Sequence, residues 1–119
     1  MGIGPARVNP KAAARAATTA RQTTAALFLK SGAEGVAAAV RIARAATGRG
    51  LVLGAGYFGW LDWWTDAPGV PAGAHADFRA IPFDDPEALA SAVRAAGDRL
   101  AAIIIEPVVE RAASHDWLT

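Results

Sequence analysis

Cysteine is absent from the 119-residue sequence, and histidine occurs only twice, at His75 and His115. Without thiol groups the chain can form neither a disulfide framework nor a thiolate metal site, so a cytoplasmic protein is the default expectation. The two histidines lie too far apart in the sequence to form a local metal-binding motif. We therefore predict no metal site.

A strong net charge and long apolar runs are also missing. The 12 Lys and Arg residues nearly balance the 11 Asp and Glu residues, for a net charge of +1. This balance favours neither nucleic acid nor an anionic membrane as a partner, and no apolar run reaches the roughly 20 residues of a membrane span. Much of the 53% hydrophobic fraction is alanine. The length therefore allows one domain with a modest core.

Acidic residues are missing from residues 1–33, although this segment contains five Lys and Arg residues. An arginine-containing leader without acids is similar to a transit peptide, but the serine enrichment expected of such peptides is not present. We therefore predict an Ala/Arg/Thr-rich N-terminal extension over residues 1–25, helical or disordered, and an α/β domain over residues 26–119.

The clearest local pattern is a helix over residues 32–47. Ser31 and Glu34 have the form of a capping box, and Gly48 lies where a glycine commonly ends a helix. The unpaired N–H groups and positive dipole end of such a helix, with Gly32 allowing close approach, can bind a phosphate. An ordinary capping box explains the same residues and occurs in many α/β proteins.

A second helix is predicted over residues 86–96, capped by Asp84 or Asp85 and ended by Gly97. The last predicted strand is a continuous apolar run of the kind buried on both faces of a sheet. Residues 54–80, rich in Gly, Pro, Trp and Asp, are expected to form an ordered loop. Strands alternating with helices predict an α/β fold, with a parallel sheet and flanking helices. The predicted strands are 27–30, 51–53, 81–83 and 100–105.

The loop after the second predicted strand holds a further candidate site. Gly54, Gly56 and Gly59 match the dinucleotide fingerprint G-x-G-x-x-G, but that fingerprint requires a helix opening at the glycines, and the aromatic residues that follow leave little room for one. Tyr57 follows the end of a strand, where its ring could stack on a planar cofactor. Loop packing explains Tyr57 and Phe58 as well, and spacing alone favours it.

Glu106 directly follows the last predicted strand. An acid at the carboxyl end of a central strand points into the ligand crevice of an α/β sheet, where it can orient a ligand. A carboxylate facing solvent is an equally good interpretation, because charged side chains strongly prefer exposure.

Taken together, these motifs resemble class III aminotransferases, particularly their glutamate-1-semialdehyde aminomutase branch. That family has a strand, N-S-G-(T/A)-E and a helix ending A-R-x-x-T-G-R, then a Y-H-G turn, P-G-V-P and a strand ending E-P-V. The resemblance covers about residues 26–118. The matching segments here are 30–34, 43–49, 57–59, 68–71 and 105–108.

The resemblance implies part of the large domain of a fold-type I pyridoxal-phosphate enzyme, in which the chain would bind pyridoxal 5'-phosphate. The segment of Ser31, Gly32 and Ala33 would hold the cofactor phosphate. Tyr57 would stack on the pyridine ring, with Phe58 beside it in place of the commoner histidine, and Glu106 would lie near the cofactor as a supporting acid. Ala33 replaces the commoner threonine, which removes one hydroxyl from the phosphate site.

Family chemistry also needs a Schiff-base lysine and an acid at the pyridinium nitrogen. The resemblance implies that both lie beyond the matched segment, and neither Lys11 nor Lys30 matches a catalytic position. We therefore name no catalytic residue and expect a truncated, inactive piece. A homo-oligomer or a companion chain would complete the domain. The alternative is a small α/β module that binds a phosphate-containing ligand or a partner without catalysis.

Overall fold

The computed structural model describes residues 25–109 and 112–119. The chain divides into two compact units, Met1–Lys30 and Ser31–Thr119. The helical or disordered extension predicted for residues 1–25 lies outside the described residues, apart from its last position.

The strand predicted at residues 27–30 is wrong. Residues 25–30 contain no helix or strand, and Leu27, Phe28 and Leu29 are exposed. An apolar run becomes a strand only where a neighbouring strand offers backbone donors and acceptors.

The second unit is built around a parallel sheet of three strands, which confirms the predicted α/β class. These strands are β1 (Leu51–Ala55), β2 (Phe78–Ala80) and β3 (Leu100–Ile105). Their order is β2-β1-β3, and both pairings are parallel. All five residues of β1 are buried, which suits its central position.

Two of the flanking helices begin and end as the sequence predicts. Helix α1 spans Gly32–Thr47, with the Ser31 hydroxyl accepting the N–H of Glu34 at 3.2 Å. It ends at Gly48, whose φ of 66° is left-handed. Helix α2 spans Pro86–Ala96 and ends at Gly97, and its N-cap is Asp85. The other helices in residues 25–109 and 112–119 are two 3-10 turns, Ala72–His75 and Gly97–Arg99, and the short α3, His115–Leu118.

The edge strand predicted at residues 81–83 is wrong by three residues, because the chain forms β2 at Phe78–Ala80 instead. The N–H of Ile81 still donates to the Gly54 carbonyl at 2.8 Å. The ladder ends there, since Pro82 has no N–H to donate.

Strand β3 agrees with its predicted bounds but not with its predicted burial. It is an edge strand in the described sheet, and Ile103 is 44% exposed. Its apolar run is typical of a strand covered on both faces, but β3 pairs only with β1 among the described strands.

Alternating side chains of β1 separate two hydrophobic clusters. Leu51 and Leu53 pack in a cluster with α2 residues and Trp117, whereas Val52 packs in another with Val40 of α1 and Phe78. Successive side chains of a strand point to opposite faces, so the two clusters lie on opposite faces of the sheet.

The described residues contain no helix that is both long and apolar enough to cross a bilayer. Across the same ranges, no group of three or more His, Asp or Glu side chains could hold a metal ion.

Candidate functional site

The carboxyl ends of β1 and β3 bring two predicted site residues together. The N–H of Glu106 donates to the Ala55 carbonyl at 2.9 Å, which extends the parallel pairing by one residue. The Glu106 side chain then turns to the loop after β1, where Oε2 accepts the backbone N–H of Tyr57 at 3.0 Å. The acid therefore holds the backbone of the Tyr57 turn.

Gly56 makes this hydrogen bond possible. A Cβ atom at Gly56 would lie 2.7 Å from the Glu106 side chain, and the φ of Gly56 is 133°. Both facts require glycine. The sequence assigns Gly56 to a possible nucleotide fingerprint, whereas in the structure it leaves room for a carboxylate.

Gly59 brings the same turn against the first turn of α1. A Cβ atom on Gly59 would overlap the Cβ of Ala33, and the φ of Gly59 is 92°. The carbonyl of Gly59 also accepts the Nε1 proton of Trp64 at 2.8 Å. The 31–34 segment and the 57–59 segment, predicted as separate sites, are therefore neighbours.

The N-terminus of α1 has open backbone donors. The N–H of Glu34 is satisfied by the Ser31 hydroxyl and that of Gly35 by the Ser31 carbonyl. Within the described part of the chain, no hydrogen bond is made by the N–H of Gly32 or Ala33. Apart from its chain neighbours and the nearby backbone of the helix, no atom of the described residues lies within 4 Å of the position that a Cβ of Gly32 would take. An anion could therefore approach these donors closely.

The two aromatic residues of the turn have different surroundings. Tyr57 is 63% exposed, and its ring meets Trp64 edge-on at a centroid distance of 5.5 Å. Phe58 is only 4% exposed and packs against Phe78 in the core cluster. Tyr57 thus offers a ring face to a ligand, and a cofactor contact by Phe58 stays a prediction.

No helix opens at Gly54, Gly56 and Gly59. Residues 56–71 are described throughout and contain no helix before the 3-10 turn at Ala72–His75. The context that a dinucleotide fingerprint needs is therefore missing.

A cavity beside Tyr57 was not predicted from the sequence. It measures about 300 Å³ and is lined by residues of the 57–70 loop, among them Trp60, Asp62 and Trp64. The crowding of three of the four tryptophans into this loop was the available signal. From the sequence alone, this crowding indicates only that the loop is ordered.

The fold is part of an α/β domain with a parallel sheet. The chain is 40% identical to glutamate-1-semialdehyde 2,1-aminomutase of Thermomicrobium roseum over 96 aligned residues, covering 68% of this chain and 22% of that enzyme. It is 32% identical to 3-aminobutyryl-CoA aminotransferase of Cloacimonas acidaminovorans, covering 70% of this chain and 20% of that enzyme.

A solved transaminase structure with pyridoxal phosphate bound superposes with a TM-score of 0.74 at 28% identity, covering 94% of this chain and 31% of that chain. No protein-family model matches the chain. The chain is a relative of the pyridoxal-phosphate-dependent aminotransferases and aminomutases, which confirms the resemblance found in its motifs. It spans about a fifth of the length of the curated relatives named here.

Proposed function

We propose that the chain forms the cofactor-binding wall of a pyridoxal-phosphate aminotransferase or aminomutase. The observation that carries the proposal is the meeting of three segments at one edge of the sheet. Gly59 touches Ala33, and Tyr57 is hydrogen-bonded to Glu106. In α/β folds, ligands bind at this carboxyl edge.

The phosphate of the cofactor would bind at the start of α1. The N–H groups of Gly32 and Ala33 are available as donors, and the positive end of the helix dipole favours an anion. Ser31 contributes by capping the helix, because its hydroxyl is already bonded to the N–H of Glu34. No side-chain hydroxyl is present at Ala33, so the backbone carries this contact.

The ring of the cofactor would lie against the exposed face of Tyr57. Glu106 would act on the cofactor indirectly. Its carboxylate accepts a hydrogen bond from the Tyr57 N–H and thereby sets the direction of the turn that carries the ring. Phe58 would hold the turn against the hydrophobic core through its contacts with Phe78 and Trp64. When bound, pyridoxal phosphate supplies a ring that withdraws electrons from the reacting amine.

The chain would bind and orient the cofactor. Its two lysines, Lys11 and Lys30, match no catalytic position of the family motifs. We propose that another chain, or a second copy of this one, contributes the remaining wall of the site.

Binding of pyridoxine 5'-phosphate tests the proposal, because this analogue has no aldehyde and cannot react with lysines. Isothermal titration should give tighter binding for it than for pyridoxine. Gly32→Pro removes one N–H donor and keeps a helix-compatible backbone, whereas Gly32→Ala keeps the donor. We expect Gly32→Pro to bind the phosphate ligand about tenfold more weakly than Gly32→Ala, the effect of one hydrogen bond to a charged group.

Tyr57→Leu and Tyr57→Phe form the second matched pair. Stacking on the ring predicts that the leucine variant binds several-fold more weakly, while the phenylalanine variant stays near the wild type. Equal binding of pyridoxine and its phosphate would contradict the phosphate site. If inorganic phosphate bound as tightly as the pyridoxine ester and Tyr57→Leu had no effect, a phosphate-binding module without a pyridine ligand would replace this proposal.

A further inference from the structure

The cavity in the 57–70 loop is aromatic on several sides. Tyr57, Trp60 and Trp64 contribute rings, and Asp62 contributes a carboxylate. Its volume of about 300 Å³ is sufficient for a small ligand or for one end of a larger one.

One ring of the cavity is held in a defined orientation before any ligand binds. The indole N–H of Trp64 donates to the Gly59 carbonyl at 2.8 Å. Its ring meets Tyr57 at an interplanar angle of 88° and Phe58 at 79°. The orientation of Trp64 is therefore set before a ligand binds, which lowers the entropy lost on binding.

Trp60 is the third aromatic residue of the lining. Its side chain is 84% exposed, the largest exposed fraction among the large hydrophobic side chains of the described residues. Trp60 shares this lining with two other aromatic residues, and contiguous exposed apolar surface of this kind is typical of a ligand-binding or partner-binding position. Its ring face carries partial negative charge, which attracts a cation.

The charge of the cavity lining has one sign. Among the described residues that line the cavity, Asp62 is the only charged one, and none is Lys, Arg or His. Asp62 also borders a second cavity, which is lined by Arg41 and Arg44 of α1. The structure records no hydrogen bond or ion pair for the Asp62 carboxylate within residues 25–109 and 112–119. Asp62 is exposed, so a neutral ligand would gain no charge interaction from it and an anion would be repelled. A cation would be attracted by both the carboxylate and the rings.

We propose that this cavity binds a small ammonium ligand, with its cationic head between the rings of Tyr57, Trp60 and Trp64 and against the carboxylate of Asp62. Binding of the cation is independent of pyridoxal phosphate. Because Tyr57 lines both the cavity and the cofactor wall, the ligand would be the cationic part of an amine substrate. Only this identification of the ligand rests on the proposed function.

Choline and its uncharged isostere 3,3-dimethyl-1-butanol separate charge from shape. We expect isothermal titration of the wild-type chain, at constant ionic strength and without pyridoxal phosphate, to show choline binding at least about fivefold tighter than the alcohol, as expected for a cation–π contact. Trp60→Leu and Asp62→Asn should each weaken choline binding several-fold. Asp66→Asn removes the same charge from an exposed residue outside the lining and should leave binding unchanged.

Equal affinity for choline and the alcohol would overturn the proposal, as would unchanged choline binding in both Trp60→Leu and Asp62→Asn. Circular dichroism checks that each variant is folded, and Trp60 is exposed enough that its replacement leaves the core intact. The result does not depend on the phosphate titration. If the wild-type chain bound choline but not pyridoxine 5'-phosphate, only the proposed function would be contradicted.

Discussion

Two glycines let backbone segments approach more closely than a side chain would allow. Gly56 leaves room for the Glu106 carboxylate, and Gly59 lies directly on Ala33. Both have positive φ, so both the conformation and the available space require glycine. These two positions determine how the tyrosine turn meets the start of α1 and the end of β3.

Gly59→Ala is expected to destabilise the chain by about 2–4 kcal/mol, through the left-handed backbone and the overlap with Ala33. Gly69→Ala is the matched control, because Gly69 has a φ of 91° and no atom near its Cβ position. Gly69→Ala should lower the free energy of unfolding by only about 1 kcal/mol, the part that comes from the backbone conformation. Urea denaturation followed by circular dichroism measures both, and equal losses would show that the contact with Ala33 is unimportant.

Helix α1 is specified by short-range signals at both ends. The Ser31 hydroxyl bonds the N–H of Glu34, and Gly48 adopts the left-handed conformation that ends the helix. The groups that cap each end of the helix lie within four residues of one another, so both ends can be predicted from the sequence. The same holds for α2, which begins at Pro86 after the cap of Asp85.

Ser31→Ala should lower the free energy of unfolding by about 1 kcal/mol, because the N–H of Glu34 loses its acceptor. Ser91→Ala, at an exposed position inside α2, should change it by no more than a few tenths of a kcal/mol. Thermal or urea unfolding in the absence of ligand gives both values. A Ser31→Ala loss no greater than that of Ser91→Ala would mean that the cap does not stabilise α1.

The stability of the second unit depends on β1, whose side chains pack on both faces of the sheet. Leu53 belongs to the cluster with α2 and Trp117, and Val52 belongs to the cluster with α1 and Phe78. The strand therefore joins two clusters that would otherwise be separate. Strand β3, with Ile103 exposed, contributes a more open edge.

Leu53→Ala should destabilise the chain by about 2–5 kcal/mol, since it creates a cavity in a fully buried position. Ile42→Ala, on the exposed side of α1, should cost less than about 1 kcal/mol. Urea midpoints and slopes of the two variants provide the comparison. Similar midpoints would argue that β1 is not the centre of the core.

Helices α1 and α2 and the bounds of β3 could be predicted from the sequence, because their signals lie within a few residues of one another. The family of pyridoxal-phosphate enzymes could also be recognised from the sequence, because the family's motifs occur in the same order along the chain. Strand β2 and the exposure of β3 could not, because pairing and burial depend on which strand lies alongside.

The arrangement of the candidate site could not be predicted from the sequence either, because it also depends on which segments lie side by side in the folded chain. Tyr57 and Glu106 are 49 residues apart and meet only because β1 and β3 run parallel and end at the same edge. The contact of Gly59 with Ala33 and the aromatic cavity also depend on how a loop without periodicity folds back. Residue types and local spacing identify the candidate groups, whereas long-range packing decides which of them share a site.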